Sequence, residues 1–285
     1  MLRLLMLLLA TMLCAGPAFG AELDGTLKKI KASNTITLGY REDARPFAYV
    51  GDDGKPAGYS VELCTRIAAS VARDLGLFNL QTKWVKVTPE NRISSVVSGA
   101  VDLECGSTTA SLTRQEQVDF SLMTFIDGGS LLVTDVSGIR GLSTLGGKRV
   151  AVVPGTTTEK ALNAALSKHA VRPTIVSVKN HTEGVAALDN RTIDAYASDR
   201  TILIGMGRTS KSPEKLSLVD EFFSYEPHGF MLKRGDAAFR LSVNRALASM
   251  YRSGEVGPIF EKYFGSMTTA GPMIVGMYLM NGLPE

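Results

Sequence analysis

The chain has 285 residues, 45% of them hydrophobic and 21% charged, enough for a sizeable core and more than one ordinary domain. With 31 basic and 28 acidic residues the net charge is +3, and the basic residues are scattered. Without a Lys/Arg run, nucleic acid and anionic membrane surfaces are set aside as partners.

Residues 1–20 combine Arg3, a short apolar run over 4–13 and the small-x-small sequence Ala18-Phe19-Gly20. That is the pattern of an export signal, with cleavage near Gly20/Ala21. The apolar run is too short to span a bilayer. Cys14 raises the question of a lipid-modified N-terminus, but Leu13 stands where a small residue is wanted. Export leaves Cys64 and Cys105 in an oxidising compartment, where an even pair favours a disulfide over two buried thiols. Two cysteines and three histidines show no metal-ligand spacing, so no metal is expected, and no cofactor either.

Along the mature chain, strand and helix patterns alternate. Residues 35–40 read as a strand, 51–54 as a turn between two short extended pieces, and 58–75 as a helix with Val61, Cys64, Ile67, Ala68 and Val71 on one face. Residues 81–87 form a second strand, 89–98 a helix with Pro89 in its first turn, and 101–104 a third strand. Strands follow at 149–153, 174–178 and near Ala195, with helices at 157–169, 183–190, 201–207, 236–252 and 255–264. This alternation predicts an α/β fold of parallel sheets with helices on both faces, which binds ligands at the carboxyl ends of strands. Two short apolar stretches, 124–133 and 227–232, lack helix partners. They suggest two crossings between lobes: lobe 1 from residues 21–128 and 229–285, lobe 2 from 129–228, with a hinge and a cleft between them.

Residues 102–120 organise the pattern. A strand ends at Glu104, the chain breaks at Gly106, and Ser107, Thr108, Thr109 and Ser111 offer hydroxyls. Thr113 and Glu116 have capping-box spacing, which would put Arg114 at the first helical position. There a cation gains nothing from the helix dipole, and an arriving anion would resolve the conflict. Thr156 and Glu159 repeat the spacing, either as a second anion site or as a plain helix cap. Asp199 ends a strand of small residues and either faces a ligand or caps the helix that follows.

The stretch Gly58-Tyr59-Ser60-Val61-Glu62-Leu63-Cys64-Thr65-Arg66-Ile67-Ala68 resembles the signature of family-3 extracellular solute-binding proteins, with Ser60 where an acid is usual. These are the polar amino-acid receptors of ATP-binding-cassette importers. Arg41-Glu42, Asn91-Arg92-Ile93, Glu104-Cys105-Gly106-Ser107-Thr108-Thr109, Arg114-Gln115, Gly155-Thr156-Thr157, His181 and Asp199 extend the likeness to receptors for acidic amino acids, over residues 23–264. The resemblance implies a two-lobed, type II periplasmic-binding-protein fold and a periplasmic, monomeric protein. It implies L-glutamate or L-aspartate as ligand and a membrane permease as partner. Arg114, with Ser107, Thr108, Thr109, Thr156 and Thr157, would take the α-carboxylate, and Asp199 the ammonium. Arg41, Arg92 and His181, in the loop after 174–178, would take the side-chain carboxylate. Three arginines against Asp199 leave an excess of positive charge, which a neutral His181 suits. Pro89 stands where the family often has a hydroxyl residue, which leaves the glutamate–aspartate preference open.

Two other readings use the same fold. A dehydratase acting on prephenate or arogenate would need a general acid, with Glu104 or Asp119 as candidates. A sensor domain would need a downstream membrane span, which the chain does not show.

Overall fold

The computed structural model describes residues 23–265 and 267–285. The export signal and Cys14 lie outside them. In chain order the elements are α1 (Gly25–Ser33), β1 (Thr35–Tyr40), β2 (Asp43–Ala44), β3 (Ala48–Val50), β4 (Pro56–Ala57), α2 (Tyr59–Asp74), β5 (Gln81–Lys86), α3 (Arg92–Val97), β6 (Leu103–Glu104), α4 (Leu112–Gln115) and β7 (Val118–Asp127). Next come β8 (Gly129–Thr134), β9 (Arg149–Val152), α5 (Thr157–Lys168), β10 (Thr174–Ser177), α6 (His181–Asp189), β11 (Ala195–Asp199), α7 (Arg200–Gly207) and β12 (Leu216–Leu218). The chain then returns through β13 (Glu226–Lys233) and ends with α8 (Ala237–Ser253), α9 (Val256–Phe264) and α10 (Pro272–Asn281).

Helix α2 forms where apolar residues recur every three or four positions. Val61, Leu63, Cys64, Ile67, Ala68 and Val71 are all buried. Gly58 precedes it at φ +125°, and a Cβ there would lie 2.3 Å from the Phe47 carbonyl oxygen, so only glycine fits. Helix α8 starts where the Asp236 carboxylate accepts from Phe239 N at 3.2 Å and stops at left-handed Gly254.

Two five-stranded sheets result, ordered β5-β1-β6-β13-β7 and β10-β9-β11-β8-β12. The expected parallel arrangement holds for β1 with β5 and β6, and for β9 with β10 and β11. It does not hold for β13 against β6 and β7, or for β8 against β11 and β12, which are antiparallel. The reason is connectivity. The chain runs from β7 into β8 with only Gly128 between them, so no crossover helix turns it round. It returns through residues 219–225, beside the outgoing crossing. Phe223 N donates to Gly129 O at 2.9 Å and Gly129 N to Ser224 Oγ at 2.9 Å. Strand β13 begins at Glu226, three residues before the expected return at Gly229, and Glu226 pairs with Asp127.

Each sheet has a core, and that of the first also takes in Val185, Ile202 and Met206 from α6 and α7 of the second lobe. The first packs Ile36, Leu38, Leu63, Ile67, Leu103 and Phe230 with the rings of Phe47, Tyr59, Phe125 and Phe264. The second buries separate clusters on its two faces. Cys64 of α2 and Cys105 are joined as a disulfide. Helix α3 starts at Arg92 and not at Pro89. The turn before it is held by a reciprocal pair, Thr88 N donating to Asn91 Oδ1 at 2.8 Å and Asn91 N to Thr88 Oγ1 at 3.3 Å, and Asn91 makes no side-chain cap of the helix. Among the described residues, no helix is long and apolar enough to cross a membrane.

Candidate functional site

The loop after β6 is fixed by backbone bonds to β13. Ala110 N donates to Pro227 O at 2.7 Å and Gly229 N to Thr108 O at 3.1 Å. This seats residues 107–111 beside the point where the chain changes sheets. Ser111, in extended conformation, caps α4, and its Oγ accepts from Arg114 N at 3.3 Å. The expected Thr113–Glu116 capping box does not form, because the helix ends before Glu116. Arg114 is therefore the third helical residue. Its side chain still turns inward, 8% exposed, and donates to Thr109 O at 2.8 Å.

Arg41 follows β1 and Arg92 opens α3, and both are buried. Arg92 donates to Thr108 Oγ1 at 2.8 Å, and that hydroxyl donates to Glu104 Oε2 at 2.7 Å. The Thr108 side chain is thus a relay between an arginine and an acid of its own lobe. Ser107 is buried in the same loop. Burial first, then the neighbouring Arg114 charge, lowers the Arg92 guanidinium to about 9. Burial also lowers Arg114. Among the described residues Arg92 Nε, Glu104 Oε1 and His228 Nδ1 are buried without a hydrogen-bond partner.

The second sheet presents its strand ends opposite. Thr156 caps α5, accepting from Glu159 N at 3.1 Å and donating to Val153 O at 2.8 Å, so its hydroxyl serves the helix. Thr156→Ala is expected to cost about 1 kcal/mol, a fall of roughly 2–4 °C in Tm by thermal unfolding. Thr157 faces across, with its hydroxyl 3.0 Å from that of Thr109. His181 is not in a loop. Asn180 caps α6, which makes His181 its first residue. The His181 ring is buried and Nδ1 shares a 2.6 Å hydrogen bond with the Tyr196 hydroxyl. Burial, with the Arg41 charge second, lowers His181 to about 4, so the ring is neutral at pH 7.

Asp199 occupies the N-cap position of α7 without capping it. Asp127 takes that duty, accepting from Thr201 N at 3.1 Å. The Asp199 carboxylate instead accepts from Thr158 Oγ1 at 3.0 Å and from His228 Nε2 at 3.1 Å. Burial raises Asp199, but the His228 bond and charge outweigh it and the group is lowered. Asp127 is raised to about 7 by burial and by the Asp199 charge. Asp127, Asp199 and His228 bring oxygen and nitrogen atoms within 4.8 Å of one another, and the one bond among them is the His228–Asp199 ion pair.

Sequence reasoning missed Asp43, Thr158, Glu226 and His228. Asp43 accepts from Arg41 at 3.1 Å and, across the cleft, from His181 N at 2.6 Å and Thr182 N at 3.3 Å. Glu226 accepts from Thr109 at 2.5 Å and Thr157 at 2.7 Å. The sequence-based tally of three arginines against Asp199 therefore changes. Asp43, Glu104 and Glu226 also lie in the cleft, and its charges are close to balanced. A groove of about 840 Å³ opens at the rim between the lobes, lined by Arg41, Asp43, Thr88, Pro89, Gly155 and Asn180 among others.

Two lobes, a double crossing between them and a charged cleft at the strand ends define a solute-binding protein of the type II fold. Residues 36–266 match the model of the bacterial extracellular solute-binding proteins, family 3, and the chain belongs to that family. It is 39% identical over 253 residues to the L-glutamate/L-aspartate-binding protein of Pseudomonas aeruginosa, covering 88% of this chain and 84% of that one. It is 33% identical over 250 residues to the glutamate/aspartate import solute-binding protein of Escherichia coli K12, covering 88% and 82%. Among solved structures, an ancestral amino acid-binding protein, a precursor of cyclohexadienyl dehydratase, matches with a TM-score of 0.74. That match has 25% identity and covers 84% of this chain and all of the other.

Proposed function

We propose that this protein is the substrate-binding component of an importer for acidic amino acids, capturing L-glutamate or L-aspartate in the periplasm as a monomer and presenting it to a membrane permease. One observation carries the reading: Arg41, Arg92 and Arg114, all 8% exposed or less, converge on one cleft between two lobes. In this reading Arg114, with Ser107, Thr109 and Thr157, holds the α-carboxylate, since a guanidinium fork gives parallel charge-assisted bonds. Asp199 takes the ammonium. Arg41, Arg92 and neutral His181 take the side-chain carboxylate, and Thr108 and Thr156 act through their backbone and neighbours.

Several donors are needed. A hydrogen bond to a charged group contributes roughly 1.5–3 kcal/mol, and micromolar affinity needs about 8 kcal/mol after the cost of immobilisation. The ligand favours closure only through contacts to both lobes, which hinge on 127–129 and 219–225.

Binding is favoured over dehydratase chemistry by where the candidate acids lie. Glu104 is fully buried and tied to Thr108. Asp119 sits eight residues from Asp127 along β7, roughly 26 Å at strand spacing, and accepts from Gly235 N at 3.0 Å. The relatives named for glutamate and aspartate import support the ligand class.

A thermal-shift screen with the twenty amino acids tests the reading. Stabilisation by glutamate and aspartate is expected, about 2.7 kcal/mol at a hundredfold excess over Kd. A response confined to neutral or cationic amino acids would overturn it.

A further inference from the structure

Strand β13 opens with two charged side chains on one face. Glu226 and His228 are two residues apart, so both project to the same side of the strand. Each is 1% exposed, and each is bonded to the other lobe. Oε2 of Glu226 accepts from Thr109 of the first lobe at 2.5 Å and from Thr157 of the second at 2.7 Å, and Ser224 Oγ donates to Oε1 at 2.6 Å. The Glu226 carboxylate also lies within the field of Arg114. Nε2 of His228 donates to Asp199, at the end of β11, at 3.1 Å. An isolated bridge pairs the His228 backbone with Thr109, so strand and loop hold one another in place.

Thr109, Thr157 and Arg114 are the groups assigned above to a ligand's α-carboxylate, and Asp199 is the group assigned to its ammonium. We propose that Glu226 and His228 form a built-in stand-in for an amino-acid head group: the Glu226 carboxylate takes the α-carboxylate position and the His228 ring the ammonium position, so that β13 itself holds the lobes together and an arriving α-amino acid must displace both. The proposal rests on the binding reading above and adds a specificity determinant to it. A ligand must carry a carboxylate and an ammonium on one carbon to replace both grips. Glutarate has no group to offer Asp199, and a simple amine has none to displace Glu226. The affinity of the right ligand is reduced by the fraction of molecules in which the strand holds the site.

The ring of His228 faces Asp199 on β11, Asp127 on β7 and Glu226 on its own strand, and it packs against Phe47 and Phe125. Burial opposes its charge, but the bond to Asp199 and the surrounding acids outweigh that and hold it above the ordinary histidine range. A ligand ammonium that takes Asp199 leaves a buried ring without its partner, and the ring sheds its proton. Binding is thus coupled to proton release. The affinity rises with pH as the ring deprotonates and loosens its own hold on Asp199.

The test uses the mature chain with Glu226→Gln and His228→Gln, singly and together. Calorimetry with L-glutamate and with glutarate reads affinity, and solution scattering of the protein alone reads lobe closure. Calorimetry in buffers of different ionisation enthalpy counts protons. Glu226→Gln is expected to lower the L-glutamate Kd by about tenfold. The double variant alone should scatter as a more open particle than the natural chain, and proton release should vanish with His228→Gln. Weaker L-glutamate binding in Glu226→Gln would make that residue a ligand contact, overturning the stand-in while leaving the binding function intact. Unchanged affinity together with unchanged scattering would also overturn it. If the natural chain binds no amino acid yet the double variant opens, the proposed ligand falls and the strand's grip is upheld.

Discussion

Arg114→Ala is expected to raise the Kd for L-glutamate by roughly two to three orders of magnitude. Removing one partner of a buried, hydrogen-bonded charge pair costs about 3–5 kcal/mol, and each 1.4 kcal/mol is tenfold. Arg114 meets the conditions for that range, being 8% exposed and already fixed by its bond to the Thr109 carbonyl. Its guanidinium need not be ordered when the ligand arrives. Arg114→Lys keeps the charge but loses the fork, so its loss should be intermediate. Calorimetry gives the Kd values, and thermal unfolding checks that both variants fold. A Kd within threefold of the natural chain in Arg114→Ala would take this residue out of the site.

The second large effect concerns Cys64 and Cys105. Their disulfide spans 41 residues of sequence, and closing a loop of that length removes unfolded-chain entropy worth about 4 kcal/mol. For a chain of this size each kcal/mol corresponds to roughly 2–4 °C. The double Cys→Ala variant should therefore melt about 8–16 °C lower by calorimetry. A reductant should lower the Tm of the natural chain and leave the variant unmoved. The bond ties α2 to the residue just before Gly106, where the Ser107–Thr109 hydroxyls begin, so L-glutamate affinity should fall with stability. A melting point indifferent to reductant would deny the bond a structural role.

How much of this was legible in the sequence differs element by element. Helices α2 and α5 announce themselves through periodicity, because each buries one face, while β1 was readable from its residue types although it is buried on both faces. Helix α1 buries only Thr26 and Ile30, and α10 is apolar nearly all round, so neither shows a stripe and both were missed. The start of α6 was readable. Asn180 stands three residues before Glu183, a spacing that places His181 inside the helix. Thr113 competed with Ser111 as a cap, and the extended backbone at Ser111 decided between them. Arg114 stood out because a cation at a helix start gains nothing from the dipole, whereas Arg41 and Arg92 were singled out only through the family resemblance. Glu226 and His228 did not stand out. They flank Pro227 at a strand edge, and only the pairing of β13 with both β6 and β7 puts them in the cleft.

The bonds that join the lobes at the rim are all polar: Asp43 to the first amides of α6, and the hydroxyl of Thr109 to that of Thr157. Water can take over each of them when the halves part, because a carboxylate, a helix end and two alcohols are readily hydrated. Behind these polar bonds, Val185, Ile202 and Met206 of the second lobe pack with Ala44 and Phe47 of the first, so parting also uncovers an apolar seam. Re-burying that patch favours the shut arrangement even before any ligand arrives, so the polar rim is where opening is easy and the seam behind it is where closure is held.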